Sequence, residues 1–278
     1  MVYRERGDLT EHSLEGGDVT EGLVRIGETI RRPTVATSEP VRRLLESLAA
    51  VGFAGAPRHL GVDAADRHVL DFIAGEVATR PWPEWLGDER RLASVARLVR
   101  SYDDAAMEVG LPDWSTAMRR DDPPGTPPSI AGSPEFIGHV DITPENVVFR
   151  DGAAFALIDF DMARPATRLE EVVNMLLWWA PWAPVEDREF TLTGVDPFRR
   201  AGIIVDAYGL ADGERARLVP LSRNVADRSW HLMKHRAETL GGGWARMWSE
   251  GVGDRILRRQ RWLAANATAL AEAVVEQQ

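Results

Sequence analysis

The chain has no cysteine, which excludes disulfide scaffolding and thiolate metal sites. No apolar run approaches the roughly 20 residues needed to span a bilayer. Residues 1–10 mix charges of both signs and lack the apolar stretch of a signal peptide. A cytoplasmic protein with no membrane partner is therefore the expectation. Internal repeats are missing too, and the one biased segment is a proline-rich stretch over 121–134. Positive charge is in deficit: 33 Lys and Arg against 43 Asp and Glu leave a formal net charge of −10. Such a surface repels nucleic acid. It suits a cationic small molecule, or serves only to keep the protein soluble.

What is present is an ordinary globular composition, 44% hydrophobic and 27% charged, with ten tryptophans in 278 residues. That length buries a substantial core, as one large domain or two lobes. The first 75 residues are punctuated by turns. Short apolar runs around Val19, 23–26 and 29–32, broken at Gly27-Glu28 and ended by Pro33, predict a hairpin. Val41, Leu44, Leu45 and Leu48 fall at helical spacing and predict a helix that stops near Gly52. Two more strands are expected over 59–62 and 68–73, joined by the polar turn 63–67.

From Gly75 onward the pattern changes. Leu92, Val95, Val99 and Tyr102 repeat every three or four residues. The prolines of 121–134 force a surface loop. After Val172 the periodicity predicts helices over 171–179, 197–208, 220–240 and 254–275. The expected architecture is α+β and two-lobed. Residues 1–75 form a small antiparallel sheet with a helix on it, 76–278 form a larger helical lobe, and a hinge lies near Phe72 to Glu76 with a binding cleft between the lobes.

The chemistry concentrates in 136–161. His139-Val-Asp141-Ile-Thr-Pro-Glu-Asn146 opens the segment, then comes a predicted hairpin turning at Asp151-Gly152, then Ile158-Asp159-Phe160-Asp161. The hairpin returns Asp159 to the neighbourhood of Asn146, so three oxygen-bearing side chains converge. Such a set suits phosphoryl transfer, which asks the protein for positioning and charge neutralisation more than covalent chemistry. Mg²⁺ takes oxygen ligands and needs only one or two from the protein beside nucleotide phosphates. Asp159 and Asn146 fit that demand, and Asp141 is left to orient an attacking hydroxyl and accept its proton.

The segment resembles the aminoglycoside phosphotransferase family of the protein-kinase-like fold, and most closely its bacterial branch called the phosphotransferase enzyme family, which includes trifolitoxin-immunity-like proteins. The likeness rests on His-x-Asp-x-x-Pro-x-Asn with Pro144 in the loop, on Ile-Asp-Phe-Asp, and on Arg168-Leu169-Glu170-Glu171-Val172. It implies ATP and Mg²⁺ as cofactors and the hydroxyl of a small molecule as acceptor: an aminoglycoside, a choline-like amine, a sugar or another antibiotic. It implies Asp141 as catalytic base, His139 as a brace of the catalytic loop, and Asn146 and Asp159 as metal ligands. It also implies Arg31 in place of a phosphate-binding lysine, and Phe72, Ile73 and Gly75 as the adenine-binding hinge.

The chain departs from the family pattern in places. Val140 replaces a glycine, Arg32 competes with Arg31 because neighbours on a strand point to opposite faces, and the glycine loop keeps only Gly16, Gly17 and Gly22 without full spacing. Val41 stands where a helix glutamate is usual, with Glu39 or Glu46 as substitutes. These departures motivate an alternative, a kinase-like protein with weak or no catalysis that acts by binding, as an immunity protein does.

Other residues have plain explanations beside functional ones. Asp161 is a turn former or a second metal contact. Glu170 and Glu171 open a helix, where acids complement the dipole. Trp178, Trp179 and Trp182 are core residues or the wall of an acceptor pocket, and Trp230, Trp244 and Trp248 share that ambiguity. His231 and His235 stand four apart on a helix without a third ligand, the pattern of a surface face.

Overall fold

The structure is a computed structural model and describes residues 10–13 and 22–275. Gly16 and Gly17 of the expected glycine loop lie outside the described residues.

The N-terminal lobe is a five-stranded antiparallel sheet. Its strands are β1 (His12–Ser13), β2 (Val24–Ile26), β3 (Thr29–Pro33), β4 (His59–Val62) and β5 (Arg67–Asp71), in the order β1-β2-β3-β5-β4. Gly27 takes φ +54 in the β2–β3 turn, a conformation open to glycine at no steric cost. The 63–67 turn is closed by the Asp63 carboxylate, which accepts from the Ala65 and Arg67 amides at 2.9 and 3.0 Å. Helix α1 (Ser38–Ala50) packs on the sheet and buries Val41, Leu44, Leu45 and Leu48, the residues its spacing singles out.

The chain leaves this sheet at Asp71 and enters a second one at β6 (Glu76–Val77). Strand β6 pairs with β8 (Val147–Arg150), which forms a hairpin with β9 (Ala153–Leu157). Both turn residues of that hairpin, Asp151 and Gly152, have positive φ (+49 and +76), as a tight antiparallel turn requires. Between β6 and β8 run α2 (Glu89–Val109), capped by Asp88, and β7 (Phe136–Gly138). Strand β7 pairs antiparallel with β10 (Arg164–Ala166), a short ladder that the sequence pattern did not announce. The helical remainder is α3 (Arg168–Trp178), α4 (Pro197–Tyr208), α5 (Asp212–Arg215), α6 (Leu218–Thr239), α7 (Gly242–Ser249), α8 (Val252–Ala265) and α9 (Ala267–Val275).

One expectation needs correction: 254–275 is two helices. Asn266 ends α8 by donating both its amide N–H and its side-chain Nδ2 to the Trp262 carbonyl, at 3.0 and 2.8 Å. A short polar side chain that competes for backbone carbonyls interrupts a helix in this way. The proline-rich loop has no regular structure, and α6 supplies the partners its backbone lacks. Arg217 donates to Ala131 O, Asn224 to Pro128 O and Arg228 to Pro127 O. One contiguous hydrophobic core runs from Val41 to Val274. Among the described residues no helix is long and apolar enough to cross a membrane.

Candidate active site

His139 follows β7 and is fully buried. Its Nε2–H donates to Ile158 O at 2.9 Å, which ties the loop to the end of β9. Burial pushes its pKa down to about 4, so the ring stays neutral and cannot shuttle protons at ordinary pH. Phe160 packs edge-on against it at 4.6 Å, and Tyr102 closes the stack while donating to Ile137 O at 2.7 Å.

The loop from Val140 to Asn146 is held from below by α3. The Glu171 carboxylate accepts from the Val140 amide (3.2 Å), Asn174 bridges Val140 O (3.1 Å) and the Ile142 amide (2.7 Å), and Trp179 Nε1 donates to Ile142 O (2.8 Å). These attachments hold Val140 at φ +51, a region a β-branched residue rarely enters. Glu171 is completely buried, and burial raises its pKa well above the carboxylate range. Gly138 leaves room for it: a Cβ there would overlap Glu171 Oε1 and come within 2.8 Å of Ala166 Cβ. Glu145, in the same loop, accepts from Trp82 Nε1 at 2.8 Å and pairs with Arg80 at 2.9 Å.

Asn146 is the joint of the site. Its Nδ2 donates to both Asp141 O (2.8 Å) and Asp141 Oδ2 (3.1 Å), while its own carbonyl accepts from the Ile158 amide at 2.9 Å. Asp141 is thereby fixed, and the residue after Ile158, Asp159, is brought alongside. Burial, then the nearby Asp159 charge, raises the Asp141 pKa to about 7. Asp159 takes φ +60, and its carboxylate accepts weakly from the Asp161 amide at 3.4 Å.

Of the two adjacent arginines, it is Arg32 and not Arg31 that faces the aspartates. Arg31 is 1% exposed, donates to Thr29 Oγ1 at 2.7 Å and pairs with Asp63 at 3.4 Å, away from the cleft. Arg32 emerges on the other face of β3, as the two-residue period of a strand demands. It reaches Asp159 Oδ1 at 3.4 Å and makes a close contact with Asp161 Oδ2. Glu39 and Glu46 do not meet either arginine; they pair with Arg42 and Arg43 along α1.

At the expected hinge, the Phe72 N–H bonds Glu28 O (2.9 Å) and Ala74 O accepts from Arg150 Nε (2.7 Å), while the Ile73 N–H and C=O have no hydrogen-bond partner among the described residues. Gly75 lies against β8, where a Cβ would overlap Val148 and come within 2.5 Å of Phe149 O. Trp179 and Trp182 are core, and His231 packs beside Trp230 and the 121–134 loop. Among the described residues no group of three or more His, Asp or Glu is arranged to hold a metal.

A sheet lobe, a helical lobe, and a carboxylate–amide–carboxylate set at their junction define a kinase-like phosphotransferase architecture. The profile of the phosphotransferase enzyme family matches residues 26–203, and the chain belongs to that family. It is 29% identical over 217 residues to a trifolitoxin immunity protein of Rhizobium leguminosarum bv. trifolii, covering 75% of this chain and 78% of that one. In fold it is similar to a choline/ethanolamine kinase family protein from Mesorhizobium loti (TM-score 0.56, 16% identity, 96% of this chain and 92% of the other). It is also similar to an ethanolamine kinase of Plasmodium vivax (TM-score 0.51, 12% identity, 91% and 80%).

Sequence reading missed Glu171, Asn174 and Glu145 as supports of the loop. Glu171 reads as a dipole acid like Glu170. Glu170 does cap its helix, by accepting from the Thr167 amide at 3.0 Å. Only the packing of α3 under the loop separates the two.

Proposed function

We propose that this chain is an ATP- and Mg²⁺-dependent phosphotransferase that phosphorylates a hydroxyl of a small molecule. The observation that carries the reading is the Asn146 joint, which binds Asp141 through its amide nitrogen and holds Asp159 alongside through Ile158. With Nδ2 engaged, Asn146 keeps its Oδ1 for a cation, and Asp159 adds a charged oxygen. Two hard oxygen donors fit Mg²⁺, which completes its shell with phosphates and water. When bound there, the ion neutralises charge on the transferring phosphoryl group.

The remaining roles belong to the chain's own residues. Asp141 orients the acceptor hydroxyl and takes its proton. His139 and the Glu171–Asn174 bracket keep the loop in place. Arg32 is the N-lobe cation nearest the aspartates, and its planar fork is suited to phosphate oxygens. The Ile73 peptide offers the backbone donor and acceptor that a purine edge requires. Asp141→Ala is expected to lower turnover by about 10²–10⁴-fold with nucleotide affinity retained. Near-wild-type turnover would remove the assignment.

A second reading, an immunity protein that acts by binding, draws support from the rhizobial relative and from the contact of Arg32 with both aspartates. Thermal unfolding with ATP and Mg²⁺ separates the two. Nucleotide at about a hundredfold over its dissociation constant stabilises by about 2.7 kcal/mol, a rise on the order of 5 °C or more. No rise at millimolar nucleotide favours the binder.

A further inference from the structure

Two arginines beside the aspartate loop form no ion pair among the described residues. Arg120 donates from Nη2 to the Asp161 carbonyl at 2.7 Å and from Nη1 to Met162 Sδ at 3.3 Å. Arg236, on α6, meets the same sulfur with its own Nη1 at 3.9 Å and lies over the Trp244 ring at 4.6 Å. Both guanidiniums thus share one thioether, one residue from Asp161 and three from Asp159. Their partners are a carbonyl, a sulfur and an indole face. Among the described residues neither is ion-paired with a carboxylate, although acids outnumber bases 43 to 33 in the chain. Arg164, the third cation nearby, is neutralised by Glu170 at 2.9 Å.

Placing two guanidiniums side by side is unfavourable, and an arginine does not escape by losing its proton. Burial, and then the nearby charge of Arg120, push the Arg236 pKa down to about 10. Met162, where the two guanidiniums meet, is three residues from Asp159, which the Asn146 joint holds beside Asp141. An oxyanion arriving there relieves the repulsion and takes parallel N–H···O bonds from planar donors.

We propose that the hydroxyl acceptor is an anion, whose carboxylate or phosphate is held between Arg120 and Arg236 while its hydroxyl lies at Asp141. This rests on the phosphotransferase reading and sharpens it. It runs against the cationic acceptor suggested by the net charge, because two guanidiniums without a carboxylate ion pair lie beside the aspartates.

The test is calorimetric titration of inorganic phosphate into the full chain saturated with Mg²⁺ and the non-hydrolysable analogue AMP-PNP. Wild type is compared with Arg120→Gln and Arg236→Gln; Arg120 is an exposed residue, so its variant spares the fold. Saturable phosphate binding, weakened about tenfold or more in each variant with AMP-PNP affinity unchanged, is the expected result. Phosphate binding that is absent, or equal in all three proteins, overturns the anionic acceptor and leaves the kinase reading standing. If AMP-PNP fails to bind while phosphate still depends on both arginines, the anion site stands and the kinase reading falls. Turnover of hydroxy acids or sugar phosphates in preference to amino alcohols and amino sugars supports the proposal. Efficient turnover of an amino sugar, undiminished in both variants, overturns it.

Discussion

Arg31 and Arg32 show how much one position on a strand decides. Neither residue type nor local sequence separates them, yet one is buried against Asp63 and Thr29 and the other faces two aspartates across the cleft. Their variants should fail differently. Removing a buried charge's partner costs about 3–5 kcal/mol. Arg31→Ala removes a fully buried side chain while Asp63 keeps Arg67 at 2.8 Å, so the loss falls towards the lower end of that range and lowers the melting temperature by about 5 °C or more in a chain of this size. Arg32→Ala should melt within about 2 °C of wild type, since its contacts are part-exposed, while the KM for ATP rises. A matching pair of melting curves and ATP titrations checks both, and an unchanged KM in Arg32→Ala would reassign the phosphate contact.

At the scale of an element, α3 is both a helix of the core and the support of the loop from Val140 to Asn146. Its capping box, Thr167 with Glu170, sets where it starts. That start places Glu171 and Asn174, three apart on one face, under Val140 and Ile142. The arrangement has a pH signature. The folded-state pKa of Glu171 is raised to about 8 from an ordinary 4.5, chiefly by burial. A raised carboxylate pKa means the folded state holds a proton that the unfolded state releases. The associated stability is therefore complete below pH 4.5 and is lost as pH rises towards 8. Glu171→Gln should flatten the decline of melting temperature between those limits. Part of the slope will persist, because buried Asp103, beside Glu171 and bonded by Tyr208 at 2.5 Å, is shifted upward as well. An unaltered slope in the variant would show that Glu171 is ionised in the folded protein.

At the scale of the whole molecule, the two lobes share one hydrophobic core from α1 to α9. A shared core predicts one cooperative unfolding transition, with calorimetric and van 't Hoff enthalpies in agreement. Two resolved transitions would show that the lobes melt separately. The sequence by itself determined the elements and the reactive set. The apolar spacing of α1 and α2, the Pro197 start of α4, the Asp151-Gly152 turn, and the joint spacing of Asp141, Asn146 and Asp159 are local patterns that depend on few neighbours. Only the tertiary structure decided which arginine faces the cleft, that Glu171 is a buried support and Glu170 a cap, and that Arg120 and Arg236 meet at Met162. Those outcomes depend on contacts between residues as far as 129 positions apart, and on burial, which changes the charge preference of a side chain without changing its identity.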